Sequence, residues 1–403
     1  MNPTGTAGRP TPWREATRSL GAPLAVVDLD AFDANARDLM ARAGGTPLRL
    51  ATKSVRVRHL VHRALDVHGF AGVMTYSLPE ALWLAEDGVD DVLMGYPAVD
   101  RAALARLAGS PSARTRITLM VDDVAQVALI ERALTRAGSP AGPSIRVCLD
   151  VDASLRLGVG PLHAHLGVRR SPVRTADDVV DLARAVERTG RLRVRGVMFY
   201  EAQVAGLGEA GLRGLGVRVV KALSLRELRG RRSAVVHALE AVLGEPVLVN
   251  GGGSGSVQDT AADPAVTEVT AGSGLYCPTL LDHYRSFTPR PAAFFGLDVV
   301  RRPSRRVATA FGGGYVASGP AGTDRLPSSV DGYRLLASEG AGEVQTPLRA
   351  RWGDRVPAIG QRVWLRHAKA GELMEHFDAV HLVRGARVVD SVPTYRGDGR
   401  TFG

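Results

Sequence analysis

Residues 47–54 read Pro47-Leu48-Arg49-Leu50-Ala51-Thr52-Lys53-Ser54, a short apolar run that ends in a lysine. A run of this length and composition is typical of a buried β-strand. The lysine is conspicuous because the chain has only three lysines, against forty-eight arginines. A lysine amine, unlike a guanidinium, can lose a proton, act as a base and condense with a carbonyl group. Lys53 is therefore the first candidate for a catalytic residue.

Similar runs recur along the chain and alternate with amphipathic helical stretches such as 31–43, which Asp30 is expected to cap. The predicted strands are 24–28, 48–52, 71–75, 91–94, 117–121, 145–151, 194–200, 247–250 and 266–270. This alternation indicates parallel strands joined by crossover helices. Counting from the second run gives eight strands, the number that closes a (β/α)8 TIM barrel, and leaves the first run to join a second domain.

The pattern changes after about residue 290, where Gly-rich turns such as Phe311-Gly312-Gly313-Gly314-Tyr315 separate short apolar segments. This pattern predicts an antiparallel β domain. The expected organisation is a flexible tail over residues 1–20, an α/β barrel over 21–290 and the β domain over 291–403.

Composition narrows the function classes. The chain of 403 residues is 45% hydrophobic, enough for a large core, and its net charge is +10. Its arginines are scattered, without aromatic interleaving or Cys/His finger spacing, so we expect no nucleic-acid partner. Two cysteines and the lack of a long apolar run or a signal-peptide core predict a cytoplasmic protein without a membrane partner.

Two glycine clusters follow the last two predicted barrel strands, at 250–256 and 271–276. The loops after strands seven and eight of such barrels commonly form a phosphate site. Glycines let backbone N–H groups converge on one point, while serine hydroxyls and the Tyr276 phenol add donors. Phosphate-binding loops and a carbonyl-condensing lysine at one cavity are what pyridoxal 5′-phosphate (PLP) requires.

The ordered succession of these motifs resembles the fold-type III PLP-dependent enzymes, the alanine racemase N-terminal barrel superfamily. It is most similar to the D-threonine aldolase and D-serine dehydratase branch, which includes the amino acid deaminase/aldolase type. The resemblance covers about residues 20–290 well and the β domain loosely. It rests on the segments 23–30, 48–54 and 154–159, on Asn35 and on the two glycine clusters.

The resemblance implies roles for individual residues. Lys53 would bind PLP covalently and act as the proton-transfer base, Arg156 would orient the cofactor, and Tyr200 would lie near its ring. The alternatives are that Arg156 is a surface charge and that Tyr200 only packs. The phosphate would be held by Gly252, Gly253, Ser254, Gly272, Ser273 and Tyr276. Lys221, in a long helical stretch, is expected on a solvated face.

The chain departs from the family pattern at two places. Aldolases of the branch carry a histidine where this chain has Ala51, and their metal site is a His-x-Asp or His-x-Cys pair. Here His367 is followed at that spacing by Lys369. A divalent metal ion bound by His367, with Glu372, is one expectation. The alternative is that the ammonium of Lys369 stands where the ion would sit.

The function that the resemblance implies is a PLP-dependent lyase acting on a β-hydroxy-α-amino acid of D configuration. Aldolase cleavage or formation of a C–C bond is expected first, and dehydratase deamination is the alternative. A racemase ranks lower because it needs a second base and the candidate tyrosines lie in no matching motif. A non-catalytic PLP carrier also ranks lower, because such carriers lack a β domain. The expected partners are an amino acid substrate and a second copy in a head-to-tail homodimer.

Overall fold

The structure, a computed structural model, describes residues 12–138, 142–159, 162–206, 208 and 214–403. Its strands, numbered along the chain, are β1 (Leu24–Asp28), β2 (Leu48–Ala51), β3 (Phe70–Thr75), β4 (Val92–Pro97), β5 (Ile117–Val121), β6 (Ile145–Asp150), β7 (Leu155–Val159), β8 (Leu162–Leu166), β9 (Leu192–Phe199), β10 (Leu248–Gly251), β11 (Glu268–Ala271), β12 (Ala293–Ser304), β13 (Val307–Phe311), β14 (Ser328–Ser329), β15 (Arg334–Leu335), β16 (Gln345–Arg349), β17 (Arg362–Arg366), β18 (Ala379–Arg384) and β19 (Arg387–Pro393).

The helices are α1 (Pro12–Ala16), α2 (Leu29–Ala43), α3 (Arg58–Leu65), α4 (Leu78–Glu86), α5 (Arg101–Gly109), α6 (Pro111–Arg116), α7 (Val124–Arg136), α8 (Ala176–Glu187), α9 (Ala202–Ala205), α10 (Gly214–Leu243), α11 (Val257–Ala261) and α12 (Ser273–Tyr276). Short 3-10 helices span Thr52–Ser54, Thr279–His283, Thr323–Arg325 and Gly371–His376. Among the helices described, none is long and apolar enough to span a bilayer.

A closed barrel of eight parallel strands forms the larger domain, in the order β10-β11-β2-β3-β4-β5-β6-β9. Its strands are apolar because helices cover the outer face and side chains fill the interior. Every residue of β5 is buried, for example. The predicted TIM barrel with a β domain is confirmed, and each of the eight predicted runs is one barrel strand.

Charged side chains fill the amino-terminal end of the barrel. Arg49 is fully buried and contacts Glu268 at 2.6 Å and Asp91 at 3.1 Å, while Arg195 also binds Asp91. Asp91 precedes β4, Glu268 begins β11 and Arg49 is the second residue of β2, so the network closes the end of the barrel opposite the mouth. Charged groups at this depth are tolerated because each has several partners.

The second domain is a sheet in the order β15-β16-β13-β12-β1-β18-β19, with β17 pairing β12 and β14. Its pairs are antiparallel except β1 with β18. Because β1 lies between β12 and β18, the chain passes from this sheet into the barrel and returns to the sheet after it. The amino-terminal strand thus joins the two domains.

Three local expectations were wrong. Residues 12–20 are not a free tail, because Trp13 is buried against Phe294 and Trp364. Helix α2 begins at Leu29 and is capped by Asp28, whose carboxylate accepts hydrogen bonds from two backbone N–H groups, rather than by Asp30. Lys221 of α10 is buried, with its ammonium 4.9 Å from the centre of the Tyr284 ring, and does not lie on a solvated face.

Candidate active site

Lys53 lies just past the carboxyl end of β2, in the short 3-10 helix Thr52–Ser54. Its Nζ donates a hydrogen bond to the hydroxyl of Tyr96 over 2.7 Å. Tyr96 is near the end of β4, so both side chains stand at the mouth of the barrel. The mouth is the end where barrel enzymes carry their reactive groups.

A cavity of about 780 Å³ opens at this mouth and is lined by Lys53 and Tyr96. Its floor includes Met74 and Met198 from the barrel strands, and its sides include Tyr200 and both glycine loops. The β domain supplies part of the wall through the segments 318–320, 324–325 and 369–370. The volume suits a small cofactor together with an amino acid.

The two glycine loops are joined to each other by Ser254. Its hydroxyl accepts hydrogen bonds from the N–H groups of Gly272 at 3.2 Å and Gly274 at 2.8 Å. A side chain at Gly272 would come within 2.5 Å of the Ala51 carbonyl oxygen, so glycine allows this loop to lie against the end of β2. The loops and Lys53 therefore occupy adjacent positions at the rim.

Glu201, just before α9, holds the glycine loop that follows β10 in place through hydrogen bonds. It is fully buried, and its carboxylate accepts hydrogen bonds from the Gly252 N–H at 3.1 Å and the Thr260 hydroxyl at 2.6 Å. Gly252 has a φ of +87°, in the left-handed region that favours glycine. The conformation of the loop thus depends on one glycine and one buried carboxylate.

Positive charge dominates the surroundings of Tyr96. Burial by itself would raise the pKa of the Tyr96 hydroxyl, but the ammonium of Lys53 and then Arg170 outweigh burial and lower that pKa below its usual value. Arg170 lies over the rings of Tyr96 and Tyr200, at 5.5 Å and 4.8 Å from their centres. Arg170 and Tyr200 both line the cavity.

Asp150 lies at the end of β6, and its negative charge opposes the lowering of the pKa of the Tyr96 hydroxyl. Burial, then the neighbouring Asp122, raise the pKa of the Asp150 carboxyl to about 7, although Arg170 opposes them. A buried carboxyl of this kind holds its proton near neutral pH.

Lys369 reaches the cavity from the β domain. Its Nζ donates to the Ser318 hydroxyl at 2.7 Å and to the Ser318 carbonyl at 3.3 Å. Burial lowers the pKa of Lys369, against the attraction of Glu372, and the positive charges of Arg325 and Lys53 lower it further. Lys53 and Lys369 line the same cavity.

The segment that carries Lys369 packs directly on the segment that carries Lys53. A Cβ at Gly371 would come within 2.6 Å of the Lys53 carbonyl oxygen, so only glycine fits at this contact. On the other side, the N–H groups of Thr279 and Leu280 donate to the carbonyls of His367 and Ala368. Lys369 therefore projects from a segment held on both sides.

The structure brings most of the predicted site residues together. Lys53, Tyr200 and the small residues of the two loops line one cavity, namely Gly252, Gly253, Ser254, Gly272 and Ser273. Cofactor binding by these residues stays a prediction.

Two predicted cofactor contacts are not at the cavity. The Tyr276 side chain is fully buried and donates its hydroxyl proton to the Val55 carbonyl at 2.9 Å, so its phenol cannot serve a phosphate. Arg156 lies on the β7–β8 hairpin, partly exposed, and pairs with Asp152 at 2.7 Å. The surface-charge alternative fits Arg156 better than a contact with the cofactor.

The predicted metal site at His367 also does not fit. The His367 ring is buried against Tyr276, and burial lowers the pKa of His367 to about 3, so the ring is neutral. Backbone groups of Ala293 and Ala370 approach the ring, but neither ring nitrogen has a hydrogen bond of proper geometry in the described structure. Within the described ranges, no group of three or more His, Cys, Asp or Glu residues could hold a metal ion.

Tyr96 and Arg170 are the site residues that sequence reasoning missed. Tyr96 could have been found, because it follows a predicted barrel strand at the end where functional groups gather. Arg170 lies in an irregular segment after β8 among many other arginines, and no pattern distinguishes it.

The fold and site define a barrel protein in which a lysine and two glycine loops line one cavity at the mouth. Residues 27–279 match the family described as alanine racemase, N-terminal domain, so the chain belongs to this family. The resemblance drawn from the motifs is thereby confirmed.

Among proteins of known function, 3-hydroxy-D-aspartate aldolase from Paracoccus denitrificans is 28% identical over 260 residues, which are 62% of this chain and 59% of that protein. The matched part thus spans about three fifths of that relative's length.

Two solved structures share the fold over nearly the whole chain. D-threonine aldolase from Filomicrobium marinum has a TM-score of 0.76 at 22% identity, over 94% of this chain and 96% of that one. D-threo-3-hydroxyaspartate dehydratase from Delftia sp. HT23 has a TM-score of 0.69 at 20% identity, over 96% and 99%. These likenesses extend to the β domain as well as the barrel.

Proposed function

We propose that the protein is a PLP-dependent lyase that acts on a β-hydroxy-α-amino acid of D configuration, as an aldolase that cleaves or forms the Cα–Cβ bond. The observation that carries the proposal is the position of Lys53, whose amine shares one cavity with two glycine loops from adjacent strands. The names of the relatives support the substrate class, since they include an aldolase for 3-hydroxy-D-aspartate and one for D-threonine.

The residues present fit PLP. The glycine loops form a cup at the end of β10 and β11, where a side chain at Gly253 or Gly272 would collide with Ala205 or Ala51. A phosphate held in this cup would place the carbonyl of the cofactor toward Lys53 on the neighbouring strand β2. Tyr200, with Arg170 on its ring, would flank the pyridine.

The chemistry that bound PLP supplies is withdrawal of electrons from the bonds at the substrate's Cα. The chain's own residues would orient the substrate and move protons. Lys53 Nζ would take or return the proton, and Tyr96 Oη would hold Nζ in place and accept its hydrogen bond. The lowered pKa of the Tyr96 hydroxyl suits this task, because it brings the hydroxyl closer to the range in which it can share a proton.

Dehydratase chemistry is the second candidate, and the likeness to D-threo-3-hydroxyaspartate dehydratase favours it. If the β-hydroxyl loses its proton, the Cα–Cβ bond breaks and the products are an aldehyde and glycine. If Cα loses its proton and the hydroxyl leaves as water, the remaining enamine hydrolyses to a keto acid and ammonia. Both reactions would use Lys53.

The test begins with the linkage to Lys53. Protein incubated with PLP is reduced with borohydride and digested, and the mass of the cofactor is expected on the peptide that carries Lys53. Lys53→Arg keeps the charge but cannot form the linkage, so this variant should show no labelled peptide. Arg184→Lys, at an exposed helical position, is the control and should label as the wild type does. Label on another lysine would contradict the assignment.

Product analysis then separates the two reactions. D-threonine, D-serine and D-3-hydroxyaspartate are supplied beside their L isomers, and aldehyde with glycine is measured against keto acid with ammonia. We expect aldehyde and glycine from a D isomer. Turnover of none of these amino acids by PLP-loaded protein would overturn the proposed function.

A head-to-tail homodimer and a cytoplasmic location also stay predictions. The dimer is tested by sedimentation across a dilution series with activity measured in parallel. A monomer that remains fully active at high dilution would contradict the expected dimer.

A further inference from the structure

The cavity wall that the β domain supplies carries a fixed cation. The ammonium of Lys369 has three N–H donors, and within the described structure two of its hydrogen bonds go to Ser318. Ser318 is itself held by Glu372, whose carboxylate accepts a hydrogen bond from the Ser318 N–H at 3.1 Å. One donor of Lys369 is thus left to point at an oxygen of a molecule in the cavity.

Among the described residues of the same wall, the side chains that could bind a divalent ion are directed elsewhere or already paired. The His367 ring faces Tyr276 in the core, while Lys369, two residues along, faces the cavity. The carboxylate of Glu372 binds the Ser318 backbone, and the Asp324 carboxylate lies 3.6 Å from the Arg325 guanidinium. Both Lys369 and Arg325 line the cavity, so a divalent cation there would meet two positive side chains and be repelled.

We propose that the ammonium of Lys369 binds the oxygen on Cβ of the substrate and provides the positive charge that a divalent metal ion would otherwise provide, so that the enzyme is metal-independent. The inference rests on the proposed function, because it assumes a β-hydroxy-α-amino acid in the cavity.

The geometry supports this assignment in one further respect. Lys53, where the substrate's amino group would be processed, lines the cavity from the barrel, and Lys369 lines the same cavity from the β domain. The first side-chain oxygen of a β-hydroxy-α-amino acid is on Cβ, only three bonds from the amino nitrogen, and so lies in the same part of the cavity. Because the Lys369 segment packs backbone to backbone on the Lys53 segment, the spacing of the two amines is fixed by the fold.

The first experiment measures metal directly. PLP-loaded wild-type protein is dialysed against a chelator, its metal content is determined, and its turnover is compared before and after. We expect unchanged turnover and, in calorimetric titrations with Mn²⁺ and Zn²⁺, no stoichiometric binding. A bound stoichiometric ion whose removal abolishes turnover and whose return restores it would overturn the inference while leaving the proposed function intact.

The second experiment measures the role of Lys369 in binding. The probes are D-threonine and D-2-aminobutyrate, which differ in the β-hydroxyl, and binding is followed by the change in the cofactor's absorption. The wild type should prefer D-threonine, and Lys369→Met should lose roughly tenfold or more of this preference, as expected for a hydrogen bond from a charged donor. Lys369→Arg should keep part of it.

His367→Phe is the matched control, because it replaces a buried neutral ring without touching the cavity wall. We expect this variant to keep the preference for D-threonine, and thermal melts of all variants check that each is folded. A Lys369→Met protein that still prefers D-threonine as the wild type does would overturn the inference. If neither amino acid perturbs the wild-type protein, the proposed function is wrong and this inference falls with it.

Discussion

At the scale of single residues, Lys53 and Tyr96 are the pair to which the proposed function assigns the proton transfer. The two groups share a hydrogen bond of 2.7 Å, and the neighbouring positive charge lowers the pKa of the Tyr96 hydroxyl despite its burial. The lowered pKa of the Tyr96 hydroxyl strengthens its hydrogen bond with the Lys53 amine. Neither side chain alone offers the same arrangement.

Replacing Tyr96 by phenylalanine should separate catalysis from cofactor binding. The ring stays, so PLP should still bind, but the hydrogen bond to Lys53 is lost and kcat should fall by roughly a hundredfold. The alkaline limb of the pH profile should move to higher pH, because the hydroxyl with the lowered pKa is gone. Steady-state rates across pH measure both effects.

Tyr333→Phe is the control for that experiment, because Tyr333 is a half-buried tyrosine of the β domain that is not part of the cavity wall. An unchanged rate in Tyr96→Phe would show that Lys53 needs no partner.

Of the site residues predicted from the sequence, some line the cavity and others do not. Lys53 could be identified because lysine is scarce in this chain, and the glycine loops because they follow two predicted strands. The functions assigned to Tyr276 and Arg156 did not fit, because the direction of a side chain depends on packing that the sequence pattern does not contain. Tyr276 turns into the core toward Val55, and Arg156 turns toward Asp152.

At the scale of elements, the loop after β10 depends on the left-handed conformation of Gly252. Gly252→Ala should weaken PLP binding by roughly tenfold, because the backbone is strained and the new Cβ would lie 2.8 Å from the Val269 side chain. Equilibrium titration with PLP measures the change.

Gly88→Ala is the matched control for the loop. Gly88 has a φ of +94°, so alanine costs a similar backbone strain, but no atom lies within 4 Å of the new Cβ. This variant should lose about 1 kcal/mol of stability and keep its affinity for PLP. Equal losses of PLP affinity in the two variants would refute the importance of the Gly252 loop.

Sequence periodicity predicted the elements of the barrel well, because a strand covered on both faces is a short apolar run bounded by turns. It missed the antiparallel pair of β7 and β8, which carries Arg156, a residue expected to contact the cofactor. This ribbon is not part of the barrel, so neither the strand count nor the strand-helix alternation predicts it.

At the scale of the whole molecule, Glu80 links helix α4 of the barrel to Tyr395, which follows the last strand of the β domain. Its carboxyl is fully buried on α4, accepts a hydrogen bond from the Tyr395 hydroxyl at 3.0 Å, and also accepts one from the Tyr76 N–H at 2.9 Å. Burial raises the pKa of Glu80 to about 7, although its hydrogen bonds oppose the shift. The folded protein therefore keeps a proton on Glu80 over a range in which the unfolded chain has lost it.

The proton on Glu80 should therefore make the free energy of unfolding fall by about 3 kcal/mol as the pH rises from about 4.5 to about 7. Above that range Glu80 should contribute little further change. Glu80→Gln removes the titrating group and should flatten this part of the curve. Urea denaturation at several pH values gives the measurement. Glu86→Gln, an exposed position on the same helix, should follow the wild-type curve. If the free energy of unfolding depended on pH in the same way in all three proteins, the pH dependence could not be assigned to Glu80.

The position of β1 has a consequence for synthesis of the chain. This strand is made before the barrel strands, yet its neighbours β12 and β18 are made only after the whole barrel. On the ribosome the barrel can close while β1 still lacks both neighbours, since contacts distant in sequence form late. The wall that carries Lys369 is therefore the last part of the cavity to be assembled, and a nascent chain would hold a barrel with an open mouth until the β domain has been synthesised.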